Sequence, residues 1–359
     1  ALKKNIIVTG SHGKTTTTSL VAKILSTAKL DPTIINGGVI NSIKSNAKLG
    51  KGEWAVLEAD ESDGSFLKLP INYSIVTNID VEHLDYYKNY ENLKQSFIKF
   101  INKTPPIGKS IICIDNLDLR KILKKVKTKN YLTYGFNTSA NYKILNVKYK
   151  ITNTNFDLQI KGSGSKKILI KNINLNLIGD HNVLNATGAI AVCLNLGIKF
   201  NIIKKAMKNF SGVQRRLTKI FIKNTREFYD DYAHHPTEIS AVLEGMRKVY
   251  KNRKIVSIFQ PHRYSRIKDL KKKFSSSFFL SDTVILCPMY AAGEKKDKNY
   301  DSFKFAKLIK KNSNVQVVLI KDQSELQKYL QKNLISNEIV IGMGAGTISK
   351  WMYELKNNL

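Results

Sequence analysis

The chain has 359 residues, 42% of them hydrophobic, and a formal net charge of +31 from 59 Lys+Arg against 28 Asp+Glu. That length exceeds one ordinary core and predicts two domains, and no run of eighteen apolar residues is present to form a membrane-spanning helix. The charge attracts anions, but the basic residues are Lys scattered among Asn and Ile, with no Arg-rich arm, RNP motif or zinc finger. Polyanionic substrates are therefore expected rather than dedicated nucleic-acid binding.

Ala1 stands where an initiator Met would, which points to a fragment, and a phosphate-type loop occupies the place of a signal-peptide cleavage site. NIIVTG (5–10) reads as a buried strand and TTTTSLVAKILSTAKL (15–30) as the helix after it. EWAVLEAD (53–60), YSIVTNI (73–79) and KSIICID (109–115) are further apolar strand runs, and YENLKQSFIKFINK (90–103) is an amphipathic helix. This alternation predicts a parallel α/β sheet. From about Tyr131 to Leu177 apolar and polar residues alternate, with Gly162-Ser163-Gly164-Ser165 as a turn, which predicts antiparallel hairpins in a smaller sheet attached to the first. GDHNVLNATGAIAVCLNLGI (179–198) opens a helix. A second α/β rhythm follows, with strands at 254–261, 283–290, 315–320 and 337–344 and helices at 266–279, 302–312 and 323–333. The boundary is placed near Gly212, giving domains 1–212 and 213–359. Cys113, Cys193 and Cys287 show neither a disulfide framework nor zinc spacing, so a reducing, cytoplasmic compartment is expected.

Chemistry concentrates where strands give way to loops. Gly10, Ser11, His12, Gly13, Lys14, Thr15 and Thr16 form a candidate phosphate loop between a strand and a helix. Glycines let backbone N–H groups turn onto phosphate oxygens, Lys14 bridges the outer phosphates, and the Thr15 hydroxyl suits Mg²⁺. The pattern is a short G-x-x-G-K-T: the first glycine of the commoner G-x-x-x-x-G-K-T spacing would fall at Val8. Glu58, Asp60, Glu61 and Asp63 follow an apolar strand, and read either as hard ligands for Mg²⁺ or as a solvated acidic loop. His83 lies in the loop after another strand, expected at the same sheet edge. In the second half, DDYAHHPTEI (230–239) and FQPHRYSR (259–266) place histidines and arginines just past strands, where an arginine grips carboxylate or phosphate in bidentate fashion. Arg215 and Arg216 sit at the domain boundary, within reach of a transferring phosphoryl group. IGMGAGTIS (341–349) is a glycine-rich turn read as close helix–strand packing.

These motifs, in this order and nearly end to end, resemble the Mur ligase family of peptidoglycan synthesis. The resemblance implies a central ATPase domain carrying the phosphate loop and a C-terminal Rossmann-like domain that binds the incoming amino acid. It also implies that an upstream UDP-binding domain is missing from the stretch in hand. PHRYSR and EADESD look like the branch that joins L-alanine to the lactoyl carboxylate of UDP-N-acetylmuramate through an acyl phosphate, with ATP and Mg²⁺, rather than the branch that joins a recycled tripeptide. By resemblance, Lys14 and Thr15 hold phosphates and Mg²⁺, and Thr15, Glu58 and His83 are the metal ligands. His181 and Asn185 lie near adenine, Arg216 near the γ-phosphate and Asp231 near the ribose. Tyr232, His234, His262, Arg263 and Arg266 surround the alanine. Lys14, His83 and Arg216 are the catalytic set. Several relatives carry a carbamylated lysine on the helix after the His83 motif; neither Lys94 nor Lys99 matches its position, so that ligand stays open. Small-molecule substrates, no membrane and a monomer or homodimer are expected. The rival reading is a phosphate-loop module, or an incomplete ligase, that binds nucleotide without turnover.

Overall fold

The computed structural model describes residues 3–162 and 167–359. Ser163, Gly164 and Ser165 of the expected turn lie outside the described residues. The chain divides into two compact units, Ala1–Val213 and Gln214–Leu359.

The first unit runs β1 (Lys4–Thr9), α1 (Lys14–Thr27), β2 (Thr33–Ile40), β3 (Ser45–Lys48), β4 (Trp54–Glu58), β5 (Tyr73–Val76), α2 (Leu84–Tyr87), α3 (Tyr90–Asn102), β6 (Lys109–Cys113), α4 (Leu117–Ile122), β7 (Tyr131–Gly135), β8 (Tyr142–Tyr149), β9 (Thr154–Lys161), β10 (Lys167–Leu175), α5 (Asp180–Asn195) and α6 (Phe200–Lys208). Among the described residues its strands form one sheet in the order β10-β9-β8-β7-β6-β5-β1-β4-β2-β3. The antiparallel pairs β8–β9 and β9–β10 are present, but they are hydrogen-bonded onto the parallel strands through β7–β8 and continue the same sheet. The change of rhythm comes one strand later than the sequence predicts, because β7 pairs parallel with β6. Ile6, Ile7, Val8, Val56, Ile75, Val76, Ile111 and Ile112 are buried, as continuous apolar runs between two helical layers should be. The strand order reverses at β1, which pairs parallel with both β4 and β5, so a crevice opens at the carboxyl ends of these three strands.

The second unit runs β11 (Thr218–Lys223), β12 (Arg226–Asp231), α7 (Pro236–Val249), β13 (Ile255–Phe259), α8 (Tyr264–Ser276), β14 (Thr283–Leu286), α9 (Ser302–Ser313), β15 (Gln316–Leu319), α10 (Gln323–Asn333), β16 (Ile339–Met343) and α11 (Ile348–Asn358). Its sheet has the order β11-β12-β16-β13-β14-β15, parallel except for the β11–β12 pair. Separate apolar clusters fill its two faces, one around Phe259, Phe274, Phe278 and Phe305 and the other around Phe228, Ile258, Leu330 and Met352. The carboxyl ends of β12, β16 and β13 again lie side by side. The three cysteines are buried and free. Among the described residues no helix is long and apolar enough to cross a membrane.

Candidate active site

In the first unit the site grows from the ends of β1, β4 and β5. Gly10 and Gly13 have φ of +129° and +83°, and an added Cβ would lie 2.2 Å from Thr77 Oγ1 and 2.4 Å from Asn185 Oδ1 respectively. Conformation and space both require glycine there. The segment after β5 holds the loop between them. Ser11 N–H donates to the Asn78 carbonyl (3.1 Å), His12 N–H to Asn78 Oδ1 (2.8 Å), and Thr77 Oγ1 and Asn78 Nδ2 to the His12 carbonyl (2.7 and 3.0 Å). Asp80 N–H donates to Ser11 Oγ at 2.9 Å, and His12 Nε2 lies 3.2 Å from Asp80 Oδ2. Gly13 is the N-cap of α1 and no side chain caps it, the arrangement in which a helix start receives phosphate oxygens.

Lys14 Nζ donates to Glu61 Oε2 at 2.8 Å and reaches the Ser11 carbonyl at 3.4 Å. Burial pulls its pKa down, but Glu61, Asp60 and Glu82 outweigh that, so the ammonium is held above its ordinary value. Thr15 Oγ1 donates to Glu58 Oε1 at 3.0 Å, and Gly37 N–H to Glu58 Oε2 at 2.6 Å. Thr15 and Glu58 thus meet through a hydrogen bond. His83 does not join them in this arrangement: it falls with Asp60 and Glu61, whose ligand atoms and its own all lie within 4.8 Å of one another. The chain turns after β4, so Glu58 is taken up by Thr15 and Gly37, and Glu61 points inward. Glu61 Oε1 is buried without a hydrogen-bond partner, with His83 Nε2 3.7 Å away. Two carboxylates, an imidazole and an orphaned buried oxygen fit a divalent cation beside the phosphate loop. His83 itself is left-handed (φ 57°) and caps α2, its carbonyl accepting from Tyr86 and Tyr87 N–H at 3.1 and 3.0 Å.

Asn185 lies against Gly13, with its amide 3.5 Å from Asn182 Oδ1, while His181 is half-buried in the first turn of α5. Thr16 is buried in the first turn of α1. Lys94 pairs with Glu91 at 2.9 Å over the Tyr90 ring, and Lys99 is exposed.

In the second unit Asp231 is buried at the end of β12, its oxygens accepting from Ala233 and Leu217 N–H at 2.7 Å each. Burial raises its carboxyl to about 6 against the pull of Arg216. The Arg215 and Arg216 guanidinium groups lie 4.8 and 5.4 Å from the centre of the Tyr232 ring, and Arg216 is 3.7 Å from Glu238. His234 Nδ1 is 2.9 Å from the Tyr232 carbonyl, and its ring is 5.1 Å from that of Tyr232 and 5.8 Å from that of His262. His262 accepts from Arg266 at 3.2 Å and stacks on Tyr290 (5.4 Å, 13°). Burial chiefly pushes both His234 and His262 down to about 4, with Glu238 opposing it at His234 and Arg266 adding to it at both, so both imidazoles are neutral at pH 7. Arg263 has φ 67° and an exposed side chain; its N–H donates to the Tyr290 carbonyl at 2.9 Å. Tyr232, His234, His262 and Arg266 form one cluster, with Arg263 on its rim.

Several members of these sites carry no signal in the sequence. Asn78 serves the first through its side-chain amide and backbone carbonyl, and Gly37 through its N–H. Tyr290 serves the second by stacking on His262 and closing against Gly346, where an added Cβ would lie 2.6 Å from its ring. Glu61 is visible in the acidic run, but only burial separates it from Asp63, which is exposed.

Comparison with known proteins gives matches to the family models of the Mur ligase middle domain over residues 8–193 and of the Mur ligase, glutamate ligase domain over residues 215–346. The chain is 56% identical over 355 residues to a UDP-N-acetylmuramate–L-alanine ligase of Pelagibacter ubique (strain HTCC1062), covering 99% of this chain and 76% of that protein. It is 38% identical over 358 residues to the ligase of the same name from Caulobacter vibrioides (strain NA1000 / CB15N), covering 100% and 76%. Among solved structures, a UDP-N-acetylmuramate–alanine ligase from Thermotoga maritima superposes with a TM-score of 0.80 at 28% identity, covering 99% of this chain and 75% of that one.

Proposed function

This chain belongs to the Mur ligase family, and from that premise we propose that it joins L-alanine to the lactoyl carboxylate of UDP-N-acetylmuramate at the expense of ATP, in peptidoglycan precursor synthesis. The observation that carries the reading is a phosphate loop with Lys14 and an acidic cluster in a chain 56% identical, over 99% of its length, to a ligase of that name. In this reading the first unit is the ATP-binding domain and the second receives the amino acid, in the cytoplasm.

The lactoyl carboxylate attacks the γ-phosphorus of ATP and ADP leaves. The alanine amine then adds to the acyl-phosphate carbon, its nitrogen gives up a proton to solvent, and inorganic phosphate departs from the tetrahedral intermediate as the amide forms. Neither step needs a strong protein base; both need alignment and neutralised charge. Gly10–Thr16 backbone groups and Lys14 grip the phosphates. Asp60, Glu61 and His83, beside the Thr15–Glu58 pair, would hold Mg²⁺, which supplies positive charge to the triphosphate. By family resemblance His181 and Asn185 are assigned to the adenine, Arg216 to the γ-phosphate and Asp231 to the ribose. Arg263 and Arg266 take the alanine carboxylate. Tyr232, His234 and His262 wall its amine; neutral His234, whose Nδ1 donates to the Tyr232 carbonyl, keeps Nε2 free to accept from that amine, while His262 Nδ1 already accepts from Arg266.

Phosphate release from purified protein tests this. Release that requires ATP, Mg²⁺, L-alanine and UDP-N-acetylmuramate together supports the ligase. ATP bound without release, or release indifferent to alanine, overturns it in favour of a nucleotide-binding module.

A further inference from the structure

We propose that Glu61 is the positioning residue of Lys14: a buried counter-ion that holds the lysine in the nucleotide-free protein and pairs with a divalent cation once phosphates occupy the loop. This rests on the nucleotide reading above.

The two inward carboxylates of the site differ in their surroundings. Glu58 has a partner on each oxygen, one accepting from Thr15 and the other from Gly37 N–H. Glu61 is fully buried and half satisfied: Oε2 accepts from Lys14, and Oε1 has no hydrogen-bond partner. Its backbone is fixed independently, because Tyr87 OH and Gly64 N–H both donate to its carbonyl. The carboxylate is therefore aimed at Lys14 by the loop and cannot swing out to water. An orphaned carboxylate oxygen with no access to water costs free energy unless a partner arrives, and His83 and Asp60 stand where that partner would be shared.

The sign of the effect then depends on the cation. Without one, incoming triphosphate meets a buried negative charge and must draw Lys14 from its partner. With one, the same charge helps hold the metal. A residue that merely supports the fold would weaken binding under both conditions when altered.

The experiment is ATP binding by calorimetry to the full chain and to Glu61→Gln, in EDTA and across a Mg²⁺ titration, with thermal melting to confirm that each variant folds. We expect Glu61→Gln to bind ATP about tenfold tighter in EDTA and to need about tenfold more Mg²⁺ for half-maximal binding, a single charge-assisted bond exchanged in each case. Glu61→Asp, which keeps the charge, should restore the original affinity in EDTA. In a Lys14→Met background Glu61→Gln should lose most of its gain. Equal affinities for the two chains in EDTA, or weaker binding by Glu61→Gln under both conditions, overturns the proposal alone. No ATP binding by the unaltered chain overturns the nucleotide reading and the proposal with it.

Discussion

Arg263 and His234 differ in how the fold treats them, and each difference can be measured. Arg263 keeps an exposed side chain on a left-handed residue whose N–H is tied to the Tyr290 carbonyl. It is free to grip a ligand carboxylate and does nothing for the core. Arg263→Ala should raise the KM for alanine about tenfold or more while leaving kcat within a few-fold, the pattern of lost ground-state binding; an unchanged alanine dependence removes it from the site. His234 is the opposite case. Its imidazole protonates near 6.5 when unfolded but only near about 4 in the fold, chiefly because it is buried. Between those values the unfolded chain binds more protons, so stability falls as pH drops from 6.5 toward 4, by at most about 3 kcal/mol. His262, more open to solvent, adds less in the same direction. Asp231, raised to about 6, opposes them, since the folded state holds its proton between the ordinary value of 3.8 and 6. His234→Gln should therefore flatten the acid limb of stability against pH in urea unfolding, and an equally steep limb would contradict the assignment.

At the scale of elements, the β1 turn into α1 carries the sharpest constraint. Gly13 needs a positive φ and has Asn185 Oδ1 where a Cβ would sit. Gly13→Ala should cost about 1–3 kcal/mol of stability from backbone strain and steric displacement, and should abolish ATP binding because the loop can no longer turn its N–H groups inward. A variant that melts and binds like the original would show that the loop tolerates another path. This element was legible in the sequence because a phosphate loop is local: strand, glycines, lysine and helix occur within about twenty consecutive residues. The parallel strands were legible for a similar reason, as short apolar runs buried on both faces. β2 was not, since TIINGGVI carries two glycines that read as a strand breaker. Those glycines are there because Glu58 packs against Gly37 and Thr15 against Gly38. The pairing of His83 with Glu61 rather than Glu58 was equally hidden. Four carboxylates within six residues look alike until the chain turn after β4 buries one of them. Asn78 and Tyr290 reach their sites only through strand order, which no local pattern encodes.

For the whole molecule, each unit has its own sheet and its own buried apolar clusters: Ile6, Ile75 and Phe97 belong to one, and Phe259, Phe274 and Met352 to others. A unit with a complete core can gain stability from a ligand that binds it alone. The phosphate loop lies wholly in Ala1–Val213, and the His234 and Arg266 cluster in Gln214–Leu359. At a hundredfold excess over its Kd, MgATP should stabilise the first unit by about 2.7 kcal/mol, a rise of about 5–10 °C in melting temperature for a unit of that size. Hydrogen exchange read by mass spectrometry during heating resolves where that gain falls. Peptides from β1, β5, β6 and α5 should gain protection with MgATP, while those from β13, β14 and α9 hold their original melting point. Lys14→Ala should remove the gain. The charge of +31 adds a background that must be subtracted, because polyanions such as ATP also screen a basic chain nonspecifically. Inorganic triphosphate with Mg²⁺ at matched ionic strength supplies that control. If MgATP protects peptides of both units equally, or Lys14→Ala keeps the gain, binding is to the basic surface at large and not to the loop between β1 and α1.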